Sequence, residues 1–463
     1  MLSTKSQQPH PPQPLNPLNI LNILMHPPPT PTFREALGFW LRLGFIGFGG
    51  PAGQIAILHD FLVDKKRWIS NSKFLHALNY CMLLPGPEAQ QLATYTGWML
   101  HGVRGGLAAG ILFVLPSAII LWGLSVLYVT YGHIPAVQAA FEFLKPAVVA
   151  IVVGAIVKIG KKSLQTPLHY AVAVAAFLAI YFLNVPFPVI IVGAILIGVA
   201  ISFKPSKSPR RGGFSTESAA EEVESAFLIN QNTIVSGSSW SALRLARQIG
   251  TAMLLWAIPL ALFAAFAPNF DFWKKLSLFF TQAAFVTFGG AYAVLPYVAQ
   301  VSVEQFNWLT GPQMLDGLAL GETTPGPLII VLAFVGFMAG YSTFGGSLAA
   351  ATLGLAATVW YTFLPSFLFI FAGAPLIERT HANPAVKSIL QFATAAVAGV
   401  ILSLCLYLGQ AVIVPNPPEI NGFALAWVVI SLVALQNFKV NLMAWIGVSV
   451  LFGLGRHFMS SII

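Results

Sequence analysis

Apolar residues in this chain come in long continuous runs with short polar stretches between them. The runs predict helices near 36–63, 74–100, 106–131, 141–160, 168–184 and 186–203. An isolated run follows at 249–267, and then 276–300, 314–338, 346–373, 388–413, 422–436 and 440–456. Several are long enough to cross a bilayer core of about 30 Å. Continuous rather than alternating hydrophobicity excludes a membrane β-barrel. The pattern is six segments, one, and six, which predicts an all-α polytopic membrane protein of about thirteen transmembrane segments.

Residues that break helices interrupt four of these runs, and they do so in pairs. Phe48-Gly49-Gly50 recurs as Phe288-Gly289-Gly290, Trp68 as Trp308, Pro85-Gly86-Pro87 as Pro325-Gly326-Pro327, and Gly105-Gly106 as Gly345-Gly346, always 240 residues on. A fixed offset marks a duplicated unit. The odd segment between two groups of six inverts the second copy, so two inverted repeats of broken helices are expected. The predicted organisation is a Pro-rich disordered tail (1–32), a first repeat (33–203), a polar cytoplasmic linker (204–240), a connecting helix (241–268) and a second repeat (269–463).

Composition agrees: of 463 residues, 57% are hydrophobic and 8% charged, whereas a soluble domain carries about 25% charged residues. The net charge of +9 does not indicate nucleic-acid binding, because Lys and Arg gather in loops and linker as topology signals. Lys158, Lys161, Lys162, the linker cations, Arg379, Lys387 and Lys439 fall on one predicted side. Lys65-Lys66-Arg67 and Lys274-Lys275 fall on the other, unless those clusters sit at the interface or a broken segment does not cross fully. Trp68 and Trp308 read as interfacial anchors. Cys81 and Cys405 lie in apolar segments and form no metal or disulfide motif.

Each break followed by a proline reads as a new helix start. Such a start exposes unpaired N–H groups and the positive end of a helix dipole, which costs several kcal/mol in a membrane unless something satisfies it. An anion in a wet cavity does so. Polar residues flank the breaks: Glu88, Gln90 and Gln91 after the first Pro-Gly-Pro, and Glu322, Thr323 and Thr324 before the second. Glu88 reads equally as a transport residue or as a dipole partner in the first turn. Arg42 suits oxyanion geometry but also suits snorkelling to the interface. Lys145, beside Pro146, is a second cation. The candidate substrate-binding residues are Arg42, Gly49, Gly50, Pro85, Gly86, Pro87, Glu88, Gln90, Lys145, Thr287, Gly289, Gly290, Glu322, Thr323, Thr324, Pro325, Gly326 and Pro327. No catalytic residue, metal site or cofactor is expected, since the sequence offers no Walker A loop, metal-ligand pair or nucleophile elbow.

The segments Phe45-Ile46-Gly47-Phe48-Gly49-Gly50-Pro51 and Leu84-Pro85-Gly86-Pro87-Glu88-Ala89-Gln90 resemble the chromate ion transporter family in its long, two-half form. So do Thr287-Phe288-Gly289-Gly290-Ala291-Tyr292-Ala293-Val294-Leu295-Pro296 and Glu322-Thr323-Thr324-Pro325-Gly326-Pro327-Leu328. The resemblance runs from about residue 33 to the C-terminus, leaving out the tail and the linker. It implies a plasma-membrane transporter (bacterial inner membrane, multi-pass) that exports chromate and confers resistance, with sulfate as a related substrate. The partners implied are a chromate or sulfate oxyanion and membrane lipid, with a homodimer as an option. The alternatives are a passive oxyanion channel or a sulfate-type oxyanion transporter. An intramembrane enzyme using Glu88 or Glu322 as base lacks a nucleophile or metal.

Overall fold

The computed structural model describes residues 27–202, 226–231, 233, 241–377, 384–415 and 419–462. The predicted tail before residue 27, most of the 204–240 linker and Arg379 lie outside the described residues. Among the described residues the chain is all-helical. The first half holds α1 (Phe33–Ile46), α2 (Gly50–His59), α3 (Asn71–Cys81), α4 (Glu88–Tyr131), α5 (Pro135–Ser163), α6 (Pro167–Tyr181) and α7 (Phe187–Ser202). After α8 (Ala242–Phe266), the second half holds α9 (Phe270–Val286), α10 (Ala291–Gln300), α11 (Gly311–Thr323), α12 (Val331–Thr343), α13 (Leu348–Ile377), α14 (Pro384–Ile413), α15 (Gly422–Leu432) and α16 (Leu442–Ile462).

The four segments that hold the breaks are hairpins. α1 enters and α2 returns to the same face, because Lys66 beyond α2 pairs with Glu35 at the start of α1 at 2.7 Å. Phe39 of α1 stacks on Phe61 at 3.7 Å between ring centroids. α3 and the first arm of α4 (88–100) do the same. The His101 ring then hydrogen-bonds the Pro31 carbonyl at 3.0 Å, and a non-helical His101-Gly102 kink turns the chain into the second arm of α4. In the second half, Phe272 at the start of α9 meets Trp308 after α10, and Ser342 at the end of α12 donates to the Trp308 carbonyl at 2.8 Å. Length explains the geometry. α2 and α10 have ten residues each, about 15 Å at 1.5 Å per residue, which is half of a bilayer core of about 30 Å.

The repeat holds to the level of individual bonds. After α2, Lys66 N–H donates to Phe61 and Trp68 N–H to Leu62 at 2.9 and 2.8 Å; after α10, Phe306 N–H donates to Val301 and Trp308 N–H to Ser302 at 2.9 and 2.8 Å. Arg67 and Asn307 share a positive φ of 50° and 52°. Beyond the hairpins the offset grows. Leu115-Pro116-Ser117 recurs as Leu364-Pro365-Ser366, and Phe143, Ala147 and Val148 recur as Phe392, Ala396 and Val397, all 249 residues on.

The second arm of α4 crosses the membrane, α5 crosses back, and α6, α7 and α8 follow. Five straight crossings put the second half in opposite orientation. Trp122, late in α4, donates to Thr352, early in α13, at 3.0 Å. Phe371, late in α13, lies against Gly106, early in α4. The two arms are therefore antiparallel.

Three expectations change. Lys65-Lys66-Arg67 shares a face with Glu35 and the linker, since Ser70 N–H donates to Ile229 at 2.8 Å and Ile229 N–H to Trp68 at 3.0 Å. With Arg34, Arg104, Lys158, Lys161, Arg244 and Arg247 at the same end, this face is cytoplasmic by the excess of positive charge. Lys274-Lys275 stays on the outer face. Trp68 and Trp308 are buried, at 2% and 4% exposure, inside aromatic clusters rather than facing lipid. Gly105-Gly106 lies within α4, whereas Gly345-Gly346 forms a turn with φ of 60° and 87°. The close backbone contact of Gly97 with Gly105 is matched instead by Gly336 with Gly354.

Single-cysteine variants test the hairpins. Asp64→Cys should react with an impermeant maleimide only in everted vesicles, and His133→Cys and Glu304→Cys only in intact cells. Labelling of Asp64→Cys from outside would mean that the first hairpin crosses.

Candidate functional site

The helices that enter from the surfaces are capped by side chains. Thr32 caps α1, Ser70 caps α3, Asn269 caps α9, and Thr310 with Gln313 forms a capping box on α11. The starts at the hairpin tips, after Gly49, Pro87, Gly290 and Pro327, have no side-chain cap. Their first N–H groups have no side-chain cap, and their positive dipole ends lie inside the membrane.

The tips meet across the halves. Gly86 N–H donates to the Thr287 carbonyl at 2.7 Å, and Gly326 N–H donates to the Gly47 carbonyl at 2.9 Å. These two bonds are one bond repeated, since both partners differ by 240 residues. Gln54 reinforces the junction by donating to Gly47 at 2.9 Å and to Gly326 at 2.5 Å. Gly86 and Gly326 adopt φ of 121° and 97°, a region closed to most side chains. Each also lies against a serine of the opposite half. A Cβ at Gly86 would come within 2.6 Å of Ser366 Oγ, and one at Gly326 would overlap Ser117 Oγ. Both serines are buried, and neither hydroxyl has a hydrogen-bond partner among the described residues.

The junction gathers Gly49, Gly50, Pro85, Gly86, Pro87, Thr287, Gly289, Gly290, Pro325, Gly326 and Pro327, with Glu88 half-buried at the start of α4. Gln90 donates to Thr94 at 3.1 Å, and its carbonyl end has no partner among the described residues. Buried Glu322 accepts a 2.6 Å hydrogen bond from Tyr292. Thr287, Thr323 and Thr324 spend their hydroxyls on carbonyls of their own helices, at 2.6 to 2.8 Å. Arg42 is exposed on α1, on the face away from Gly44, which packs against Leu112 and Pro116 of α4. Lys145 lies apart from the tips and pairs with Asp316 at 3.2 Å; the other Asp316 oxygen accepts from Tyr128 at 2.9 Å. Asp316 is six residues before Glu322, about 9 Å along α11.

Gln54, Ser117, Ser366, Tyr292, Asp316 and Tyr128 were not among the candidates from sequence. Gln54 and Asp316 had a signal, as lone polar groups in apolar runs. The serines were hidden by the change of offset from 240 to 249.

The two sides of the junction differ in exposure. Leu75 is 44% exposed, whereas its counterpart Leu315 is 1% exposed. Ala56 and Asn79 are likewise exposed, and Pro296 and Ala319 buried. On the outer side, a cavity of about 400 Å³ lined by Tyr128, Gln313, Met338 and Tyr341 ends beside the Asp316 pair. A larger groove, about 1060 Å³, lies between α4, α8 and α13. It is lined by residues such as Ile111, Leu255 and Phe367 and suits lipid chains rather than an anion.

Residues 34–199 and 274–454 match the family model described as "Chromate transporter". The chain is 29% identical over 422 residues to the chromate transport protein of Cupriavidus metallidurans, covering 90% of each. It is 30% identical over 387 residues to the chromate transport protein of Pseudomonas aeruginosa, covering 83% of this chain and 82% of that one. It is 27% identical over 398 residues to a probable chromate transport protein of Synechococcus elongatus, covering 84% and 87%. No solved structure matches the chain.

Gly326→Ala should destabilise the fold by about 1–3 kcal/mol from backbone strain alone, with the Ser117 clash added. Gly123→Ala, in open space, should not. Thermal unfolding of the detergent-purified proteins, followed by size exclusion, compares them; equal melting would show that the tips are not tightly joined.

Proposed function

This chain belongs to the chromate transporter family, and from that premise we propose that it exports chromate from the cytoplasm as a secondary transporter, conferring chromate resistance. Sulfate competes for, or exchanges through, the same site. The carrying observation is the exchange of backbone hydrogen bonds at the junction, which brings uncapped helix starts from both halves together. A tetrahedral dianion there accepts from N–H groups that no side chain caps.

Direction follows from charge. Moving one charge across the membrane is worth about 2.3 kcal/mol per 100 mV. A dianion leaving a negative cytoplasm gains twice that, so export needs no coupled cation. The uneven exposure supports a carrier in its cytoplasm-open state: Gly49 at the first-half tip is exposed, while its counterpart Gly289 lies against Thr394 of α14. A channel would offer both sides at once. Inverted repeats provide the return, since each half can adopt the conformation of the other.

Everted vesicles holding labelled chromate outside should accumulate it faster with an interior-positive potential, and unlabelled sulfate should slow uptake. Gly86→Leu with Gly326→Leu should abolish uptake at equal expression. Uptake that neither saturates nor responds to sulfate would favour a channel.

A further inference from the structure

Repeat symmetry predicts where Lys145 should be, and it is not there. At the 249 offset, its counterpart on α14 is Thr394. Thr394 lies against a hairpin tip of its own half: a Cβ at Gly289 would meet Thr394 Cγ2 at 3.2 Å. The counterpart tip in the first half is Gly49-Gly50. A Cβ at Gly49 would meet only the Gly53 Cα, at 3.9 Å, and one at Gly50 would meet nothing within 4 Å. Lys145 is instead held by Asp316 of the other half. The Asp316 side chain is 7% exposed, so the pair is costly to break by removing one partner. The positions that correspond to it across the repeat are Thr394 and His76. The ion pair therefore exists in one half only.

We propose that Asp316 is an internal counter-ion for Lys145, holding the ammonium while the first-half tip is open and releasing it to the oxyanion when the halves exchange conformation. This rests on the alternating-access reading above. Exchange would give α5 the present placement of α14. Lys145 would then stand against Gly49-Gly50, where an uncapped helix start already favours an anion. Asp316 is a positioning residue that keeps the cation from binding substrate prematurely, and Lys145 is the substrate contact. A dianion at the tip replaces the carboxylate as partner, so the ammonium is not left unpaired in the membrane. The unequal chemistry of the repeats then gives the two directions different barriers.

Removing the competitor should tighten binding. With Asp316→Asn, Lys145 is free, and KM for chromate in vesicles should fall about fivefold, as expected when a mostly occupied site becomes competent, while kcat also falls. Lys145→Ala should raise KM, and adding Asp316→Asn to it should not lower KM again. Labelled sulfate binding to purified protein should move in parallel. If Asp316→Asn does not fold, the swap Lys145→Asp with Asp316→Lys decides. It keeps the ion pair but moves the cation to α11, so it should fold and bind sulfate poorly. A folded Asp316→Asn with unchanged or raised KM, or a swap with wild-type sulfate binding, overturns the proposal while leaving the transport reading intact. A wild type that neither carries chromate nor binds sulfate overturns the transport reading, and the proposal with it.

Discussion

Peptide groups have no water to fall back on in the middle of a bilayer, so every helix break there needs a partner. This chain makes four such breaks and satisfies part of them by pairing one half with the other. Gly86 N–H finds Thr287, and Gly326 N–H finds Gly47. Each half is thus incomplete by itself. The junction fixes the relative position of the halves, and the uncapped helix starts it gathers remain as the chemistry on offer.

The bonds are symmetric, but the side chains around them are not. The first half contributes Gln54, Glu88, Gln90 and Gln91, whereas the corresponding positions of the second are Val294, Leu328, Ile330 and Val331. The second half contributes the Glu322–Tyr292 pair, where the first has Met82 and Ala52. Duplication thus preserved the backbone frame, which depends on Gly and Pro, while the side chains diverged. Such a division suits vectorial transport: equal frames allow two access states, and unequal side chains allow those states to differ in energy.

Packing carries the same asymmetry. The second-half hairpins are buried against α5 and α14, whereas the first-half hairpins keep exposed residues such as Ala56, Leu75 and Asn79. The long helices α5 and α14 pack with α6, α7, α15 and α16 into a separate group. Relative movement of that group and the hairpins would trade one set of contacts for the other. Lys145 and Asp316 sit across this boundary.

The sequence by itself determined the helical membrane class, the duplication, the inversion and the four breaks. These depend on composition, on the parity of crossings and on the local conformations open only to Gly and Pro. Only the tertiary structure decided that the broken segments turn back. Two arms of ten to seventeen residues joined by a glycine pair have much the same hydropathy as one long span, so Lys65-Lys66-Arg67 looked misplaced until the turn was visible. The structure also separated Arg42, exposed on α1, from the junction, and found Ser117, Ser366 and Asp316. Their partners lie 171 or more residues away, and a nine-residue shift in the repeat offset breaks the register that would have aligned the serines. Local sequence specifies where a helix must break; which groups then satisfy the break is settled by contacts between distant parts of the chain.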